Sequence, residues 1–368
     1  MTLRARADGV TRPRKGRGAA SNPENRFASF RREAVDDGWE PGDDDGQPAP
    51  LRTHVTTETA KSILSRNDSP DIPFNFSINP YRGCEHGCVY CYARPSHAYL
   101  DLSPGLDFET RLFAKVNAAE LLREALRKPG HRCEAIALGA NTDAYQPVER
   151  DFRITRSLLE VLDACHHPVT IVTKNALVLR DLDILGRMAA RNLVHVFISV
   201  TTLDHEMARR MEPRASSPTR RIEALQALTE AGVPCGVMVA PIVPFLTDHE
   251  TEAILERAAA AGATRAAYVL LRLPLEIDAL FCEWLAHHFP LKADHVMRRV
   301  RAMRGGRSYD ATFGKRMRGE GLFADLLAQR FGKACDRLGL NRERRSLDTT
   351  QFQPPGPAVQ CEGQLDLF

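Results

Sequence analysis

The stretch "RGCEHGCVYCYAR", residues 82–94, sets Cys84, Cys88 and Cys91 within eight positions, with three residues in the first gap and two in the second. Disulfide pairing would leave one thiol over, and a closed tetrahedral metal site would be one ligand short. The loop is kept supple by Gly83 and Gly87, and its three thiols describe a centre with one position open. Cysteine thiolates hold 4Fe–4S clusters, whose four irons need four ligands. Three from protein leave one iron for an outside ligand. The competing reading is a zinc site completed by His86 or His97, but no second C-x-x-C pair supports it. The other six cysteines (Cys133, Cys165, Cys235, Cys282, Cys335 and Cys361) stand alone and read as small buried hydrophobes.

Outward from this loop the pattern alternates. Short apolar runs at 74–78, 135–138, 169–172, 194–200, 236–240 and 267–271 predict strands. Helical periodicity fills 115–128, 152–165, 179–191, 216–231 and 248–261 between them, and Gly232 and Gly262 stand where helix C-caps belong. Six strands separated by helices imply parallel βαβ units with right-handed crossovers, in an open doubly wound sheet or a partial barrel. Either architecture places ligands at the C-terminal strand ends. "ARRMEPRASSP" reads as a loop or short turn, and after about residue 275 only helices follow, at 276–289, 293–304 and 321–338.

The chain has 368 residues, 43% of them hydrophobic, enough for one large domain or two modest ones. No apolar run is long enough to span a bilayer, and the N-terminus has no apolar secretory segment, so neither membrane nor export is expected. Nine cysteines then read as metal or redox chemistry in a reducing, cytoplasmic compartment. Residues 1–50 carry a basic run (Arg4, Arg6, Arg12, Arg14, Lys15, Arg17) and an acidic one (Asp43, Asp44, Asp45) with few aliphatics. They read as a tail disordered when alone, either merely solvated or touching nucleic acid.

"CEHGCVYC" after the first strand of a βα series resembles the CxxxCxxC motif of the radical S-adenosylmethionine (SAM) superfamily. That resemblance implies an α/β fold, a partial (β/α)6 barrel, over residues 51–275, with a helical basic extension at 276–345 and a flexible tail at 346–368. It implies a 4Fe–4S cluster on Cys84, Cys88 and Cys91, with S-adenosyl-L-methionine on the open iron. Reductive cleavage to a 5′-deoxyadenosyl radical follows, fed by an electron donor such as a flavodoxin or ferredoxin. Tyr90 is the aromatic that the superfamily prefers beside the adenine.

Across roughly 75–275 the chain is similar to the spore photoproduct lyase-like (DNA repair photolyase-like) group. "GANTDAYQPVER" matches that group's SAM loop, so Asn141, Thr142 and Asp143 are expected to reach the amino group and ribose. Lys174 in "TIVTKN" matches a lysine that pairs with the methionyl carboxylate, and Ser199 is a further polar contact. "MEPRASSPTRRIEAL" and "VAPIVPFLTD" share the group's look. Tyr92 resembles the tyrosine of its hydrogen-atom relay, but Ala140 stands where the relay cysteine is found. The relay therefore cannot run as known, and a different substrate from the thymine dimer is expected.

"KADHVMRRVRAMRGGRSYDATFGKRMRG" carries Lys292, Arg298, Arg299, Arg301, Arg304, Arg307, Lys315, Arg316 and Arg318, with Tyr309 and Phe313 interleaved. Cations neutralise phosphates and aromatics stack bases, so this reads as a surface for DNA or other nucleic acid, or else as a solvated helix face. The last five residues, Gln364, Leu365, Asp366, Leu367 and Phe368, resemble the bacterial sliding-clamp-binding motif. The expectation is a lyase-like radical SAM enzyme acting on damaged or modified nucleic acid in DNA repair. Its rivals are the same chemistry on a protein, peptide or small molecule, and a non-catalytic iron–sulfur protein that binds nucleic acid.

Overall fold

Runs rich in β-branched residues, such as "VTIVT" and "VHVFIS", become buried strands because their stiff side chains pack well on a pleated surface. The structure, a computed structural model, describes residues 13–27, 51–343 and 346–356. Its strands are β1 (His54–Glu58), β2 (Leu64–Arg66), β3 (Phe76–Ile78), β4 (Tyr81–Arg82) and β5 (Arg111–Lys115), then β6 (Ile136–Leu138), β7 (Val169–Thr173), β8 (Val194–Ser199), β9 (Cys235–Ile242) and β10 (Arg265–Leu270). The helices are α1 (Asp107–Thr110), α2 (Ala118–Arg127), α3 (Glu149–Phe152), α4 (Ile154–Ala164), α5 (Leu182–Ala190) and α6 (His205–Met211). They continue with α7 (Pro218–Glu230), α8 (Thr251–Ala260), α9 (Ile277–His288), α10 (Ala293–Ala302) and α11 (Leu322–Leu338).

The large sheet has the order β10-β9-β8-β7-β6-β3-β2. From β3 to β10 every neighbour pair is parallel, and only β2 joins antiparallel, at the edge. Spatial order thus repeats chain order. Each crossover steps the same way, whereas a doubly wound sheet reverses direction at a switch point. This is the winding of a partial barrel. A small second sheet, β1-β5-β4, lies beside the turn that carries the cysteines.

The core runs between strands and helices, with Val194, Val196 and Ile198 of β8 packed beside Leu225 and Leu228 of α7. Helix α7 begins on Ser217, whose side chain accepts from Arg220 N–H, with Pro218 in its first turn. Gly232 and Gly262, with φ of +72° and +92°, end α7 and α8 as expected. The first four residues of "ARRMEPRASSP" correct the loop expectation, while residues 212–217 form the expected loop. Asp204 caps α6 by accepting from Glu206 and Met207 N–H, and the helix runs to Met211. A seven-residue helix of mostly polar side chains has too little apolar period to be read from sequence.

The C-terminal helices pack back on the cysteine loop, where Cys88, Val89 and Tyr90 share a core with Leu271, Phe281, Trp284 and Val296. Segments read as tails are partly ordered by contact. Arg17 and Ala19 are buried. At the other end, the Phe352 ring packs edge-on at 5.1 Å from the His131 ring and 5.3 Å from that of His167. No helix among the described residues is long and apolar enough to cross a membrane.

Candidate functional site

The cysteine loop leaves β4 through Gly83 and turns again at Gly87, with φ of +75° and +68°. Its backbone is held from several sides. Gln146 donates Nε2–H to Gly83 O at 3.2 Å and accepts Glu85 N–H at 2.9 Å. Val89 N–H donates to Met211 O at 3.1 Å, and Arg94 Nε–H to Cys88 O at 2.9 Å. Cys84 and Cys88 are buried and Cys91 partly exposed.

Burial pushes all three thiols up, and Cys84 also feels Asp143 and the other two cysteines. Cations pull the other way, Lys174 and Arg221 at Cys88, and Arg94, Lys174 and Arg272 at Cys91. Lys174 thus acts on both Cys88 and Cys91, a cation beside two of the three thiols that would have to deprotonate on taking up metal. Among the described residues no three His, Cys, Asp or Glu side chains converge on a single metal ion. His86 sits 3.4 Å from Asp143 Oδ2 and 3.3 Å from Asn175 Nδ2. His97 Nε2 lies 2.9 Å from Arg111 O. His86 is engaged elsewhere, the Nδ1 of His97 has no hydrogen-bond partner among the described residues, and neither histidine completes a metal-holding group with the cysteines; three cysteines without a fourth fit a cluster with one open iron.

The loop after β6 places Asn141, Thr142 and Asp143 at the C-terminal strand ends. Asn141 is exposed, its backbone N–H fixed by Asn79 Oδ1 at 2.8 Å. Thr142 is buried and donates its hydroxyl to Tyr81 O at 2.8 Å. The Asp143 carboxylate accepts from Thr173 Oγ1 and Lys174 N–H, each at 2.7 Å, and from Tyr145 N–H at 2.9 Å. Burial works to raise this carboxyl, but His86 and these donors outweigh it and hold it at about 2. Asp143 is thus an ionised brace between two strand ends.

Lys174 Nζ lies 3.4 Å from Ala240 O, 3.8 Å from Glu212 Oε1 and 5.8 Å from the Tyr90 ring centroid. Glu212 is buried and was not singled out from sequence. Its carboxylate accepts from Tyr90 Oη–H, from Arg221 and, at 2.7 Å, from Thr201 Oγ1–H. Burial raises it, yet Arg221 and Lys174 hold it down at about 2. Arg221, also missed, donates to Ser199 O at 3.0 Å, and Ser199 itself is buried. Two cations share one carboxylate here, leaving the pocket suited to a further anion. The signal available was "MEPRASSPTRRIEAL", which contains both Glu212 and Arg221.

Tyr92 lies at the barrel mouth, 41% exposed, its hydroxyl donating to Ala140 O and its ring 4.0 Å beneath the Arg272 guanidinium. The basic segment divides. Lys292, Arg298, Arg301, Arg307, Lys315 and Arg318 are exposed. Arg316 instead bonds Asp71 at 2.6 Å, and Arg299 stacks on Phe323 at 4.8 Å. Arg304 is a correction to the surface reading. It is 1% exposed and donates to Leu271 O at 2.6 Å and Arg316 O at 3.1 Å. The clamp-like motif Gln364–Phe368 lies outside the described residues, as do Cys361, Arg4, Arg6, Arg12 and the acidic run at 43–45.

A family model described as the Radical SAM superfamily matches residues 78–258. An uncharacterized protein of Mycobacterium tuberculosis is 40% identical over 233 residues, covering 62% of this chain and 68% of that one. An uncharacterized protein of Methanocaldococcus jannaschii is 30% identical over 175 residues, covering 48% and 63%. A solved spore photoproduct lyase complexed with dinucleoside spore photoproduct superposes with a TM-score of 0.55 at 15% identity, covering 78% of this chain and 80% of the lyase. A variant of that lyase with bound AdoMet and dinucleoside spore photoproduct gives 0.56 at 15% identity, over the same shares. At such identity the structural likeness speaks for the fold.

Proposed function

The chain belongs to the radical SAM superfamily, and from that premise we propose that it turns this chemistry on nucleic acid, in the repair of damaged or modified DNA. As an enzyme of that superfamily it uses a 4Fe–4S cluster and S-adenosylmethionine. When bound and reduced, these supply a 5′-deoxyadenosyl radical that abstracts a hydrogen atom. Cys84, Cys88 and Cys91 would hold three irons. Lys174, sharing Glu212 with Arg221, would take the methionyl carboxylate in a charge-assisted hydrogen bond. Asn141 offers an exposed amide at the same strand ends, while Thr142 and Asp143 stiffen that loop from within and Ser199 lies beside Arg221. Tyr90 is fixed by Glu212 and presents its ring rather than its hydroxyl.

The observation that carries the substrate reading is the mouth itself. Tyr92, half-exposed under Arg272, joins an aromatic face to a cation, the pairing that stacks a base and meets its phosphate. Arg316 acts electrostatically on the same tyrosine, and the segment that carries it also holds the exposed Arg298, Arg301, Arg307 and Arg318. Through its hydroxyl Tyr92 would donate hydrogen to a substrate radical, and with Ala140 beside it a second donor of another kind is required. The neighbouring lyase, bound to a dinucleoside lesion, supports the same substrate class. A sliding clamp as partner rests on Gln364–Phe368, and an electron donor such as a flavodoxin or ferredoxin on the superfamily's chemistry.

The test is anaerobic reconstitution with iron and sulfide, then dithionite and S-adenosylmethionine, with 5′-deoxyadenosine measured against damaged DNA, intact DNA and control peptides. We expect damaged DNA to raise the yield. If 5′-deoxyadenosine forms but no nucleic acid changes its yield, the nucleic-acid reading falls and the chemistry stands.

A further inference from the structure

We propose that residues 13–27 form a positioning strap for the cysteine loop, holding its first turn in the shape that brings the three thiols together. The inference rests on the assignment of Cys84, Cys88 and Cys91 as cluster ligands, and its evidence is separate from the site chemistry. Gly18 lies so close to Gly87, the residue before Cys88, that a Cβ there would overlap the Gly87 carbonyl oxygen and stand 3.3 Å from Val89 N. A backbone in that contact excludes any side chain, and the strap and the turn constrain each other.

A buried carboxylate ties them further. Glu109, fully buried, accepts Gly18 N–H at 3.0 Å and Ala19 N–H at 2.9 Å, and on the same carboxylate Arg94 at 2.5 Å. Arg94, also fully buried, passes the constraint to Cys88 O at 2.9 Å and holds Pro104 O and Gly105 O at 3.1 and 2.9 Å. The strap's own anchor is Arg17, whose guanidinium donates to Glu109 O at 3.0 Å, Leu51 O at 2.6 Å and Thr53 Oγ1 at 3.0 Å. Thr53 in turn donates to Glu85 at 2.6 Å, the residue after Cys84. Downstream, Leu106 N–H meets Ser21 O at 3.1 Å and Ser103 Oγ–H meets Pro23 O at 2.6 Å. Two independent paths, one through Glu109 and Arg94 and one through Thr53 and Glu85, therefore run from the strap to either side of the turn. On the Glu109–Arg94 path the charge-assisted bonds are buried and transmit position because no water competes for them.

The experiment uses the full chain with Gly18→Ala, whose methyl cannot coexist with the Gly87 carbonyl and must lift the strap. In cluster-free protein, labelling with N-ethylmaleimide is followed cysteine by cysteine by mass spectrometry. Cys84, Cys88 and Cys91 should label at least tenfold faster than in the native chain, while the distant, buried Cys235 and Cys335 keep their native rates. After reconstitution the variant's reduced cluster should give a shifted electron paramagnetic resonance signal. Native labelling rates at all three loop cysteines overturn the proposal. If Cys235 and Cys335 also become reactive the variant has unfolded, and Arg17→Ala, which removes the anchor without intrusion, decides by the same rates. Failure of the native chain to take up a cluster would sink the ligand assignment alone, since the labelling needs no metal.

Discussion

Replacing Arg304 by methionine should weaken the fold without touching the chemistry. The guanidinium lies inside the protein beneath the end of β10, where it holds three carbonyls, those of Leu270, Leu271 and Arg316. Methionine fills the same length but donates nothing. Stranding a buried acceptor costs about 1–3 kcal/mol, so three give roughly 3–9. Against this stands the relief of no longer burying a charge, on the order of several kcal/mol. The net expectation for Arg304→Met is a loss of about 2–4 kcal/mol. A chain of 368 residues unfolds with an entropy of about 0.8 kcal/mol/K, at roughly 2.1 cal/mol/K per residue. The midpoint should fall by about 3–5 °C in anaerobic thermal unfolding of the cluster-free protein. DNA affinity, read as its slope against salt concentration, should be unchanged, whereas Arg298→Ala or Arg301→Ala should flatten that slope. An unmoved midpoint would show that the carbonyls do not depend on Arg304. A flattened slope for Arg304→Met would return it to the surface.

Lys174→Ala should leave cluster absorbance intact and weaken S-adenosylmethionine binding by about tenfold or more in equilibrium titration, a charge-assisted bond being worth about 1.5–3 kcal/mol; unaltered binding removes Lys174 from the pocket. His97, His167 and His195 are buried, and burial holds each at about 4 instead of 6.5. Above pH 6.5 neither state is protonated. From 6.5 down to 4 the unfolded chain binds protons that the folded one refuses, so stability should fall with falling pH by roughly 2 kcal/mol per ring at pH 5, and level off below 4. Urea unfolding at pH 7 and 5 measures this, and His195→Leu should remove one ring's share of the difference. Finally, a peptide ending in Gln364–Phe368 should bind the replication clamp at micromolar affinity or weaker, with Leu367→Ala plus Phe368→Ala abolishing clamp binding while S-adenosylmethionine cleavage persists. No binding by the intact chain at hundreds of micromolar clamp would end that reading.

The barrel strands and their helices were legible because each strand is an apolar run and each helix a 3.6-residue period, both local properties. The small sheet was not. β1 reads "HVTTE", polar at four of its five positions, and gains its strand character only from the register that sets Val55 beside Leu112. The grouping of the three cysteines on one loop was legible from spacing alone. Lys174 and Asp143 were legible as strand-end residues, but the direction of their side chains was not. That Asp143 turns inward to Thr173, thirty residues on, is a fact of packing. Glu212 escaped notice for the same reason, since its partners come from positions 90, 201 and 221. Arg304 misled because a charged run looks alike whether its members face water or carbonyls.

Glu212 also limits how such a sequence can drift. One carboxylate satisfies the Tyr90 phenol, the Thr201 hydroxyl and the Arg221 guanidinium, and lies within reach of Lys174. A change to glutamine would still fill the space but strand a buried guanidinium, and a change to leucine would strand all its partners together. Single steps away from this arrangement are therefore steep. Divergence has to move several of these positions at once, so relatives should fall into discrete solutions at this spot with few intermediates between them.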